Sequence, residues 1–425
     1  MHERPYTDRV TVPGEQIDSA FYSRLSIYAS VTTSPGHALV VGAGIFGLAT
    51  SLELRTRGWA VTLLDPGPLP HKSASSTDVS KMVRMDYGSD LFYHEFAEAA
   101  LEGWDRWNAD WPYPPYHETG LLVFSGEEIK PGSFEYESAQ ALQERGYEPE
   151  WLVLKPNQNR FPTWEEGQYS HGYLSPRAGW VESGFVVSHL LTLAQKVGVD
   201  LRIGTAQALA EEESQVTGVL LKESGENLAA DTVVVCAGAW TPSLLPWLSD
   251  RMWSVGQPVV HLGTDQPEIH TGKPFPPWFA DTSSSGWYGF PALPDGHVKI
   301  GCHGPGLTAH PDTRGAVARE HLEALRAFLE KAMPSLAKAP VLEQRVCMYC
   351  DTFDGDFLID QDPNREGLIV AGGGSGHGFK FAPVIGGVVA DVVEGRDNRW
   401  AKRFKWRDPP TQLATGVRYT INYRK

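Results

Sequence analysis

"ALVVGAGIFGLATSLELRTRGWAVTLLDPG", residues 38–67, decides the fold of this chain. It reads as a short apolar strand, a glycine turn, an amphipathic helix, a break at Gly58 and a second apolar strand. Periodicity that switches from strand to helix and back marks a βαβ unit. Gly42 allows the tight turn, Gly44 lets the backbone approach a pyrophosphate, and Gly47 lets the helix pack on the strand. The amino terminus of the helix then faces the phosphates. Asp65 closes the second strand about 20 residues after the first glycine, where a carboxylate accepts from a ribose 2′-hydroxyl and repels a 2′-phosphate. NADP is therefore disfavoured, while FAD and NAD remain open from this unit alone.

The rest of the sheet is expected from distant segments. "GENLAADTVVVCAGAWTPSLLP" (225–246) leads from a polar hairpin end into a buried strand that finishes at Ala237 and Gly238. "GLIVAGGGSGHGFKFAPVIGGVVADVVEG" (367–395) repeats strand, glycine-rich turn and helix, with Pro383 tolerated in the first turn and Gly386 and Gly387 permitting close packing. The segments between these pieces form a second domain. The resulting division assigns 1–36 to an N-terminal extension, 37–89, 181–246 and 341–400 to a discontinuous cofactor domain, 90–180 and 247–340 to a substrate domain, and 401–425 to a C-terminal tail.

Composition narrows the function. With 37 basic and 52 acidic residues the formal net charge is −15, which argues against a nucleic-acid partner or an anionic membrane surface. No stretch approaches the roughly 20 apolar residues of a membrane helix, and residues 1–36 contain no apolar run resembling a signal-peptide core. Four cysteines cannot form a dense disulfide framework. A soluble, cytoplasmic small-molecule protein is the expectation.

Two of those cysteines stand in "CMYC" (347–350). By spacing alone the pair could be half a zinc site with Cys302 and His303, a redox pair, or buried thiols without chemistry. Downstream, "SGWYGFPALPDGHVKIGCHG" reads as a hairpin turning at Pro294, Asp295 and Gly296. Pairing Ala292 with His297 sets Phe290 opposite Lys299 and Tyr288 opposite Gly301, so Lys299, Tyr288 and His303 share one face.

Five segments, "VVGAGIFGLATSLEL", "STDVSKMVRMDYG", "WYGFPALPDGHVKIGCH", "CMYCDTFDGDFLID" and "GGGSGHGFKFAP", occur in an order that resembles the FAD-dependent amine oxidases typified by monomeric sarcosine oxidase. That family also includes fructosyl amino acid, pipecolate and saccharopine oxidases, within the D-amino acid oxidase-like superfamily. The resemblance covers Ala38 to about Gly395. It implies an α/β fold: a Rossmann-like FAD-binding domain with an inserted α+β substrate domain built on an antiparallel sheet.

The same resemblance implies FAD bound covalently through Cys347, with Cys350 a bystander. Cofactor contacts fall on Gly42, Gly44, Gly47, Asp65, Ser80, Lys81, Gly238, Gly374, Gly376, Gly378 and Lys380. Lys81 stands where sarcosine oxidase has an arginine, so the charge is kept and the guanidinium fork is lost. Lys299 assists electron transfer to oxygen, Tyr288 and His303 lie beside the substrate, and Arg84 and Lys380 clamp its carboxylate. The implied reaction is oxidation of an N-substituted amino acid to an imine by a monomer. Oxygen is reduced to hydrogen peroxide and the imine is hydrolysed. A dehydrogenase using another electron carrier, and a flavin- or nucleotide-binding protein without turnover, are the competing readings.

Overall fold

The computed structural model describes residues 34–153, 160–282 and 285–409. Positions 1–33 of the expected extension and 410–425 of the expected tail lie outside the described residues. Two sheets dominate, and the fold is the expected mixed α/β arrangement. The first has six strands in the order Leu358–Gln361, Leu368–Gly372, Thr232–Val235, His37–Val41, Ala60–Asp65 and Asp200–Ile203. All neighbours run parallel except the edge pair 358–361 and 368–372. Strands in a parallel sheet are covered on both faces, which is why "TVVV" and "HALVV" are continuous apolar runs without alternation.

Helices Ile45–Thr56 and Ala382–Val393 pack together beside this sheet. Gly386 makes their close approach possible, because a Cβ there would come within 2.3 Å of Ala49 O. Gly387, expected from the sequence to serve the same purpose, faces open space. The two glycines should therefore respond oppositely to alanine. Gly386→Ala is expected to lower holoenzyme stability by about 1–3 kcal/mol through overpacking. Gly387→Ala should raise it by about 0.5–1 kcal/mol by removing a mid-helix glycine. Thermal unfolding midpoints that move in the same direction for both would refute this account.

The second sheet has nine strands and is antiparallel except where Leu121–Ser125 runs parallel to Trp278–Ala280. Met252–Gly263 is its hub, pairing with His297–Cys302 and Leu307–Thr308 on one edge and with Val341–Thr352 on the other. The segment beginning at 341 was grouped above with the cofactor pieces. Its first strand belongs to this large sheet instead, paired along nearly its whole length. The reason is register: burial rises along "VLEQRVCMYCDT" from exposed at Val341 to buried at Thr352, as a strand leaving an open edge for the interior must show. Helix Arg319–Ala332 covers the sheet through Leu325 and Leu329. The described part of the expected tail is anchored by the fully buried Phe404, whose carbonyl accepts from Ile359 N.

Candidate active site

A cleft of about 1800 Å³ is lined by residues from both sheets. It lies at the carboxyl ends of the parallel strands, reached through Val41, Asp65, Cys236 and Gly372, the usual ligand position in an open α/β sheet. Gly42 adopts φ +105°, and a Cβ there would sit 2.6 Å from Cys236 O. Gly47 lies behind the cleft wall, where a Cβ would fall 1.8 Å from Gly42 O. These contacts agree with the turning and packing roles read from the motif. Gly44 is the N-cap of the first helix and lines the cleft without a side chain, leaving the helix end open to it. Ser76 Oγ accepts from Ile45 N at 3.0 Å, a contact the glycine pattern does not disclose.

Asp65 lines the cleft, but its carboxylate is first engaged by the backbone. Ala43 N donates to Oδ2 at 2.9 Å and Gly67 N donates to Oδ1 at 3.1 Å. Each oxygen retains acceptor capacity for a hydroxyl. Gly238, Gly374, Gly376 and Gly378 also line the cleft. The ring of Tyr349 lies 2.2 Å from where a Gly376 Cβ would stand, so the aromatic wall occupies the space a side chain would need. Ser80, expected at the cofactor, is not among the cleft-lining residues, and its buried Oγ has no hydrogen-bond partner among the described residues. The short strand Lys81–Val83 begins immediately after it, and the contribution of Ser80 is its carbonyl, which accepts from Lys299 Nζ at 2.5 Å.

Tyr288 lies opposite Gly301 and Phe290 N bonds Lys299 O as expected, but Ala292 does not pair with His297: its N donates to His270 O, and Leu293 N donates to His297 O instead. A Cβ at Gly301 would strike the Tyr288 ring at 2.5 Å, so this glycine is the seat of that ring. Lys299 is buried, with Nζ 4.7 Å from the Phe290 centroid. It donates to Asp78 Oδ2 at 2.6 Å, and Lys81 Nζ reaches the same oxygen at 2.9 Å. Burial lowers the Lys299 ammonium to about 8, although Asp78 opposes the shift. Asp78 stays well below the usual carboxylate range because Lys299 and Lys81 outweigh the cost of its burial.

Also on the cleft lining, Arg84 stacks over the rings of Tyr87 (4.8 Å) and Phe279 (5.1 Å). Its Nη1 is buried with no hydrogen-bond partner among the described residues. Lys380 is buried and fixed through its carbonyl, which accepts from Trp104 Nε1 at 2.7 Å. Its Nζ donates to Tyr87 Oη at 2.9 Å and to His377 O at 2.8 Å. Burial and the nearby Arg84 hold Lys380 well below the usual lysine range. Gly355 O lies 3.1 Å from His377 Nε2 and must accept from it, which leaves Nδ1 to accept from the Tyr87 hydroxyl at 3.0 Å. A hydrogen-bonded line thus runs from Lys380 through Tyr87 and His377 to the backbone.

Cys347 is buried and lines the cleft. Strand alternation places Cys347 and Cys350 on opposite faces, so the two sulfurs cannot meet as a bridge or as paired ligands. Cys350 Sγ lies 3.9 Å from Met252 Sδ, and burial pushes its thiol up to about 12. His303 also lines the cleft, its ring 6.1 Å from that of Tyr349. Asp78, Tyr87, Tyr349 and His377 were not singled out from sequence, although all four lie inside the quoted segments. Asp78, three residues before Lys81, was the readable signal.

Comparison with known proteins is consistent with this geometry. Monomeric sarcosine oxidase from Bacillus sp. (strain NS-129) is 30% identical over 364 residues, covering 84% of this chain and 92% of that protein. L-saccharopine oxidase from Schizosaccharomyces pombe is 25% identical over 430 residues, covering 91% and 97%. Among solved structures, the deglycating fructosamine oxidase Amadoriase II from Aspergillus fumigatus superposes with a TM-score of 0.76 at 26% identity, covering 93% of this chain and 95% of that one. A family model described as FAD dependent oxidoreductase matches residues 37–392. A glycine turn at the strand ends, a cleft walled by both sheets and a match across nearly the whole described chain lead to one assignment: this protein belongs to the FAD-dependent oxidoreductase family.

Proposed function

We propose that this enzyme is a flavin-dependent oxidase of N-substituted, secondary amine amino acids, similar to sarcosine oxidase. One observation carries the reading. Arg84 and Lys380 converge on a single cleft, the first with a buried Nη1 that has no partner among the described residues and the second depressed by burial and then by Arg84. Two basic side chains without a paired carboxylate among the described residues suit an incoming one, and a guanidinium fork fits it by shape as well as charge. An anion seated there offsets the repulsion from Arg84 and favours the charged form of Lys380 against the cost of its burial. Arg84, Lys380 and Lys299 together favour the neutral form of the substrate amine.

The residues present fit FAD. Gly42, Gly44 and the open helix end would hold its diphosphate, Asp65 its ribose, and the turn at Gly374–Gly378 its ring system. When bound, the flavin supplies the two-electron acceptor. The chain's own part is to orient the amino acid through Arg84 and Lys380, wall off water with Tyr288 and Tyr349, and present the Lys299 ammonium where oxygen gains negative charge. A peroxide-coupled screen of sarcosine, longer N-alkyl amino acids, pipecolate, saccharopine and glycated amino acids tests the reading. At least one should release hydrogen peroxide, and silence across the whole set would sink it.

Cys347 is the attachment point in this proposal, since it shares a strand face with Tyr349, whose ring lies against Gly376, while the Cys350 thiol packs against Met252. The flavin is expected to remain on the protein through acid precipitation. Cys350→Ser should retain it, and Cys347→Ser should release all of it to the supernatant. Retention by Cys347→Ser overturns the attachment.

A further inference from the structure

Behind the cleft wall, one carboxylate serves two lysines. Asp78 Oδ2 accepts from Lys299 Nζ at 2.6 Å and from Lys81 Nζ at 2.9 Å, while Oδ1 accepts from Val79 N at 2.8 Å. The Asp78 side chain is 2% exposed and that of Lys299 is 3% exposed, so water screens little of this arrangement. We propose that Asp78 is a positioning residue for Lys299: it offsets the like charge of Lys81, holds Lys299 protonated, and together with the Ser80 carbonyl fixes two of its three N–H groups so that the third is left for the cleft.

The surroundings support that role. Lys299 Nζ gives one N–H to Asp78 and one to Ser80 O, and the residue lines the cleft. From the central strand of the large sheet, His261 stands directly opposite Lys299, with Nε2 3.8 Å from Asp78 Oδ1 and neither ring nitrogen hydrogen-bonded among the described residues. Burial lowers His261 to about 4, so near neutral pH it does not compete for the carboxylate as a cation. His297 flanks His261 at 6.3 Å between ring centroids. From strand 341–352, Arg345 donates to Thr77 O at 2.7 Å and Ala74 O at 3.2 Å, and Cys347 lies close enough to act on Lys299 electrostatically. Asp78 is thus the one carboxylate hydrogen-bonded to Lys299 among the described residues. Remove it, and Lys299 is left buried beside Lys81 with only the Ser80 carbonyl.

The inference rests on the oxidase reading for its consequence at oxygen, and on geometry alone for the ionic arrangement. The test uses flavin-loaded protein carrying nitrogen-15 at lysine Nζ, with the Lys299 signal assigned by its loss in Lys299→Met. Asp78→Asn should move the Lys299 titration down by about 1–3 pH units, the usual effect of losing an opposite charge at this range. Lys81→Met should move it up, and the double variant should fall between the two. The pH at which oxygen consumption declines should follow the same order.

An unmoved Lys299 titration in Asp78→Asn overturns the proposal. If that variant does not fold, an unmoved titration in Lys81→Met overturns it equally. Absence of peroxide from the wild-type enzyme with every amine tested would remove the oxidase reading, while the NMR titrations would still decide the role of Asp78.

Discussion

Lys299→Met is expected to slow oxygen consumption by about 100- to 1000-fold, the usual cost of deleting one preorganised charge stabiliser from a dry site. Anaerobic bleaching of the flavin by the amine substrate should persist near the wild-type rate. The asymmetry follows from where charge develops. Oxygen becomes negative only in the second half of the cycle, and the Lys299 ammonium is already fixed by Asp78 and Ser80, so no reorganisation is needed at that moment. The sign of the pH effect follows as well. Lys299 is charged below about 8 and loses its proton above it, so the oxygen step should fall as pH rises through that value. In Lys299→Met this break should disappear. Rapid-mixing spectroscopy separates the two half-reactions, and equal losses in both would assign Lys299 to substrate binding instead.

The second large effect concerns the carboxylate. Arg84→Ala is expected to weaken carboxylate substrates and small thioether acid inhibitors by about 10- to 150-fold. This corresponds to a charge-assisted hydrogen bond of about 1.5 to 3 kcal/mol at about 1.4 kcal/mol per decade. Wild-type enzyme should discriminate against the corresponding amide by a similar factor, because the amide leaves the Arg84 Nη1 and Lys380 Nζ donors without an anion in a buried site. In Arg84→Ala that discrimination should shrink. Inhibitor titrations followed through flavin absorbance give the dissociation constants directly. An enzyme that oxidises simple alkylamines as readily as their amino acid counterparts would show that the two residues balance cofactor charge and grip no substrate.

Lys81 connects the two ends of this picture. The resemblance to sarcosine oxidase implies an arginine at this position, and the structure supplies a reason that an ammonium suits the site. A single Asp78 oxygen accepts from both lysines, at 2.6 and 2.9 Å. Two compact point charges can share one oxygen, whereas a planar fork seeks both oxygens of a carboxylate. Lys81→Arg is therefore a change of geometry at constant charge, with its effect transmitted to Lys299 through Asp78.

What the sequence by itself determined is whatever a local repeat encodes. The βαβ unit at 38–67 was legible because strand and helix periods differ, and its glycines because only they tolerate φ +105° at Gly42 or a backbone oxygen 1.8 Å from a Cβ at Gly47. The Tyr288–Gly301 register followed from one turn and a period of two. Family resemblance added the list of residues around the cleft. Tertiary structure alone decided which of them meet. Lys299 finds Asp78 across 221 residues and Lys380 finds Tyr87 across 293. It also decided that strand 341–352 joins the large sheet, that Ser80 offers a carbonyl, and that Gly387 faces space. The physical reason is common to these cases. A repeat constrains neighbours along the chain, but the partner of a buried charge depends on which strands lie side by side, and that order is set by packing of the whole sheet.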